Sequence, residues 1–167
     1  MGAKAPIFVN AEEIIMMMWH REIKQDWGKV ITFVDHFEKE HEAALKEIAI
    51  KGSLEKLASE MPGIVEYRFR QLQEIEAVLN YFENELKKVR SEKFKMFLER
   101  YQRALTSSDA WKYVDNEPDV CDLCDLINEV ALVRNKFVGI SKALEQKSWM
   151  LGHVCKLRCA GLEDATL

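Results

Sequence analysis

The residues best equipped for chemistry in this chain are its four cysteines. Cys121 and Cys124 form a CxxC pair, and His153, Cys155 and Cys159 follow near the end. Thiolates and an imidazole are the donors of a tetrahedral zinc site. The spacing works against one, because Cys121 and Cys124 fall inside a predicted helix with no glycine-containing knuckle. About 30 residues of continuous helix, roughly 45 Å, separate them from the second cluster, so only another helix or subunit could join the two. A redox dithiol lacks the surrounding βαβ pattern. Asp119, Asp122 and Asp125 stand at i, i+3 and i+6 near a helix start, where carboxylates suit the helix dipole without further purpose. His20, His36, His41 and His153 have no nucleophile at matching spacing, and no Gly-rich phosphate loop, HExxH or GxSxG occurs. The expectation is a protein that is not an enzyme and carries no metal or cofactor.

Charge placement is more informative. The chain has a formal net charge of −4, yet residues 87–103, KKVRSEKFKMFLERYQR, hold seven Lys or Arg, two Glu and three aromatic residues. Residues 1–85 sum to −6, 86–106 to +5, 107–133 to −6 and 134–158 to +5. Well-mixed surface charge is the ordinary pattern, so this segregation stands out. A single basic helical run usually serves as a solvated face. Two basic blocks with aromatics inside suit a single-stranded nucleic acid, which is held by a positive track along phosphates and flat side chains under bases. Lys87, Lys88, Arg90, Lys93, Lys95, Arg100 and Arg103 could supply the track, and Phe94 and Tyr101, seven apart, share a helix face. Phe97 fits the apolar stripe instead. In the second block Arg134, Lys136, Lys142, Lys147, Lys156 and Arg158 surround Trp149.

The elements that must position these residues read as helices. The chain has 167 residues, 48% hydrophobic and 31% charged, with seven Gly and three Pro. That is enough chain for one ordered domain with its own core, and too little Gly and Pro for a turn-rich sheet protein. Asn10 with Glu13 forms a helix start of capping-box type. Apolar residues at helical spacing then predict a first helix over about 11–51, with Gly28 as a local weakness. A short helix over 54–60 ends at Met61-Pro62-Gly63, and a long one runs over about 64–105. A short helical turn surrounds Trp111, and Pro118 opens a final helix to about 158. The predicted fold is all-α: an elongated bundle of three long helices in one domain over 10–160, between a flexible 1–9 and a tail over 161–167. The apolar run Ile14 to Trp19 covers more than one helix face, which predicts self-association into a homo-oligomer. With no secretory signal and no membrane-spanning run, the expectation is a cytoplasmic protein with reduced cysteines.

The stretch from KKVRSEKFKMFLERYQRALTSSDAW to EQKSWMLGHVCKLR, about residues 75–158, resembles the UvsY family of phage recombination mediators. Arg100-Tyr101 before Thr106-Ser107 corresponds to the family's basic, Tyr-containing turn, although the usual glycine is missing. Lys147-Ser148-Trp149 with Lys156 corresponds to its late basic-aromatic motif. The first helix is longer and more apolar than the family pattern. The resemblance implies a ring-like helical homo-oligomer in the host cytoplasm that binds single-stranded DNA. It also implies competition with single-strand-binding protein and loading of a RecA-like recombinase. Lys93, Lys95, Arg100 and Arg103 would be backbone contacts, and Tyr101 a stacking residue. The rival reading is a non-catalytic scaffold, adaptor or inhibitor that binds a protein through its apolar first helix. In that case the opposite charge blocks would pair between subunits.

Overall fold

A computed structural model describes residues 19–100 and 106–161, with Arg100 described by its backbone alone. The described residues form five helices and no strand, so the protein is all-α. Helix α1 spans Trp19–Gln25, α2 Lys29–Ile48, α3 Leu54–Arg100, α4 Ser107–Asp115 and α5 Pro118–Cys159. The expected helix start at Asn10, the apolar run before Trp19 and the 162–167 end lie outside the described residues.

Over its described residues, the helix expected over 11–51 is two helices. The Gly28 amide donates to Asp26 Oδ1 at 2.9 Å, so a side-chain turn competes with the helical ladder where glycine weakens it most. A Lys29–Glu22 ion pair of 2.7 Å then spans the break. Gly52, at φ +102°, sits in the left-handed region that admits glycine at little cost, and it closes the link into α3.

The expected break at Met61-Pro62-Gly63 does not occur, and α3 runs through Pro62 without interruption. Proline inside a helix costs about 3 kcal/mol, through a lost amide donor and a ring clash. Pro62 and Gly63 face solvent, while Met61 is buried and Ile64 and Val65 pack with it against Ala44, Leu144 and Leu151. Burying a large apolar side chain yields about 1.5–3 kcal/mol each, so this cluster outweighs the proline. At α4, Thr106 caps the start by accepting from the Asp109 amide at 3.2 Å. Pro118 occupies the first position of α5, as its fixed φ and missing donor suit.

The described residues pack as two compact units, drawn from 1–33 and 76–128 and from 34–75 and 129–167. In the first, Trp19 meets Phe33 edge-on at 5.8 Å and Trp27 meets Phe82 at 5.6 Å. In the second, Phe37 meets Phe137 edge-on at 5.5 Å, with Ile140 and Leu144 also buried.

The second unit also buries a polar network. Arg68, only 3% exposed, forks onto Glu47 with bonds of 2.9 and 2.7 Å. Its other nitrogen donates to Glu40 at 2.7 Å and to Gln71 at 2.8 Å. Gln71 and Tyr67 donate to the same Glu40 oxygen at 2.7 and 3.3 Å. Burial opposes the charge on Glu40, but the bonds from Gln71, Arg68 and Tyr67 and the charge of Arg68 outweigh it. The carboxyl therefore titrates below the usual range.

Candidate nucleic-acid interface

The basic run sits in the last third of α3, as its apolar spacing requires, but much of its charge is already used. Arg90 bonds Asp115, the last residue of α4, at 2.9 Å. Lys93 reaches Glu117 at 2.9 Å and Asp119 at 2.7 Å, at the start of α5. The bonds to Asp119 and Glu117 hold the Lys93 ammonium above its ordinary range. Lys88 pairs with Glu85 one turn back on its own helix at 2.6 Å. Lys87 and Lys95 are exposed and make no ion pair among the described residues. Tyr101 and Arg103 lie outside the described residues, as does the side chain of Arg100.

The aromatics of the run are occupied as well. Phe94 stacks on Trp111 of α4, with centroids 4.5 Å apart and planes 21° from parallel. Phe97, expected in the core, is half-buried and lies against Tyr113 at 5.7 Å. The acidic segment that follows the run therefore covers Arg90, Lys93 and Phe94 of the features that would grip a polyanion. The sequence placed −6 next to +5; it did not indicate that one folds onto the other.

In the second block, Lys147, expected as a nucleic-acid contact, is turned inward. It is 5% exposed and donates to the backbone carbonyl of Glu47, which makes it an interior cation. It lies on the α5 face that carries Leu144 and Leu151, and its stem shares their burial. Lys136 is committed to Glu38 at 2.6 Å. The opposite face of α5 is open. Trp149 is 71% exposed, and its ring lies 6.3 Å from that of His153. Lys156 lines the same shallow hollow as Trp149 and His153, and Lys142 lies two turns before Trp149. Lys142, Lys156 and Arg158 are exposed and make no ion pair among the described residues.

Beside this stripe lies a feature the sequence did not signal, an open apolar groove of about 680 Å³. Pro62, Val65 and Phe69 of α3 and Leu151, Gly152 and Cys155 of α5 line it. All four cysteines are free, and among the described residues no three His, Cys, Asp or Glu are grouped so as to hold a metal ion. Also among the described residues, no helix is long and apolar enough to cross a membrane. No protein-family model, curated protein or solved structure matches the chain.

Proposed function

We propose that this protein is a non-catalytic binder of single-stranded nucleic acid, with an open contact stripe of Lys142, Trp149, His153 and Lys156 on α5. One observation carries the reading: a tryptophan 71% exposed beside unpaired cations. Left in water, a Trp face that size is a standing cost, and a stacked base would cover it. Arg158 adds a further exposed cation on α5. The resemblance to UvsY mediators supplies the biological role. A homo-oligomer would hold single-stranded DNA against single-strand-binding protein and load a RecA-like recombinase in the host cytoplasm. Linked copies of a modest site would gain avidity without new contacts.

The apolar groove beside the stripe favours a second reading, a helical adaptor that binds a protein partner. Fluorescence anisotropy of a labelled single-stranded oligonucleotide, at low and moderate salt, separates the two. The proposal expects log K to fall with log salt by about 0.7 per contacted phosphate. Trp149→Ala/Lys156→Ala should bind far more weakly than the wild type. Absence of binding at low salt would sink the nucleic-acid reading and leave the adaptor.

A further inference from the structure

The covering of the basic run resembles a ligand complex made within one chain. Arg90 and Lys93 face three carboxylates, Asp115, Glu117 and Asp119, at 2.7 to 2.9 Å. Phe94 lies under the Trp111 ring at the spacing and tilt of a stacked base. A row of negative groups on cations with a flat ring on an aromatic is what a short single strand would present to the same surface. We infer that the segment from α4 to the start of α5 is an internal stand-in for nucleic acid. It covers the α3 run and gives it up when a strand competes.

The inference rests on the binding function proposed above and adds its regulation. What holds the stand-in is compatible with exchange. The Arg90–Asp115 pair and the Asp119 end of the Lys93–Asp119 pair are open to water, where ion pairs contribute little net stability. The Lys93–Glu117 pair is part-buried. Helix α4 has nine residues, below the length at which a helix persists by itself, so contacts alone keep it in place. Its buried anchors are small, Ala110 and Val114, whereas Trp111 and Tyr113 are both exposed over much of their surface.

The test compares three full-length proteins for binding of a labelled single-stranded oligonucleotide: wild type, Asp115→Asn/Glu117→Gln/Asp119→Asn, and a charge-matched control, Glu42→Gln/Glu55→Gln/Glu129→Gln. With Arg90 and Lys93 freed, the first variant should bind more tightly than the control. Its salt slope should steepen by about 1.4, two further phosphates at about 0.7 each. Hydrogen exchange supplies an independent arm on the wild type, where amides of 107–117 should lose protection as oligonucleotide is added. Equal affinity and slope in variant and control, with 107–117 still protected in the bound wild type, would overturn the stand-in and leave the binding function standing. If none of the three binds, the binding function falls and the stand-in with it.

Discussion

Two stretches of α3 present arginine and lysine to carboxylates from other helices, with opposite consequences. Near its start Arg68 is sealed from water and bonded to Glu47, Glu40 and Gln71. Near its end Arg90 and Lys93 make pairs of similar length, but their side chains are 39% and 23% exposed. Bond length does not separate the two clusters; access of water does. A charge taken out of water is held only while every partner stays, whereas a pair left in water trades its partner for water at little cost. The first cluster holds α2 to α3, and the second can be exchanged.

The largest effect should come from breaking the sealed cluster. Arg68→Ala strands Glu40 and Glu47 in a part-buried site, and chemical denaturation should show a loss of about 3–5 kcal/mol. A loss below about 1 kcal/mol would mean that the two clusters do not differ. On the binding side, Trp149→Ala should weaken oligonucleotide binding by about 1–3 kcal/mol, the worth of one stacked base. A larger loss for Arg90→Ala than for Trp149→Ala would show that the α3 run, not the α5 stripe, is the open surface.

An intermediate effect concerns Glu40, whose carboxyl is held low in the folded protein. Such a group adds stability that is complete above its unfolded pKa of about 4.3 and is lost as pH falls through the folded value. The stability advantage of wild type over Glu40→Gln should therefore shrink below about pH 4.3. A difference that stays constant through that range would mean Arg68 does not depend on the charge. The smallest effect should be the stability change of Arg90→Ala, about 0.2–1 kcal/mol as for exposed pairs. Thermal melts at two salt concentrations would check it, since this pair should weaken with salt and the Arg68 network should not.

Much of the helical plan was legible residue by residue. Gly28 marked a weak point in the first helix, where the chain in fact breaks into α1 and α2, and Pro118 marked the start of α5, because each acts through backbone geometry within a few residues. Pro62 misled for the converse reason. Its local cost is real, but Met61, Ile64 and Val65 find partners on α2 and α5 that lie far away in sequence. The candidate site divides along the same line. Trp149 and Lys156 stood out in the sequence only as an aromatic and a cation of one basic block; that they line one hollow is a matter of structure. Lys147 could not be set apart from its basic neighbours, since nothing within its own turn shows that Glu47, 100 residues earlier, supplies its acceptor.

The sequence by itself determined the all-α class, the helix starts at Leu54 and Pro118, the helix end near Cys159 and the segregation of charge, all of which follow from periodicity and from what Gly, Pro and capping residues permit locally. Tertiary structure alone decided which charges meet. It buried Arg68, turned Lys147 inward, laid the acidic segment over Arg90 and Lys93, and left Trp149 in the open. The reason is that a charge's worth depends on whether water or a partner surrounds it, and that surrounding is assembled from residues distant in the chain.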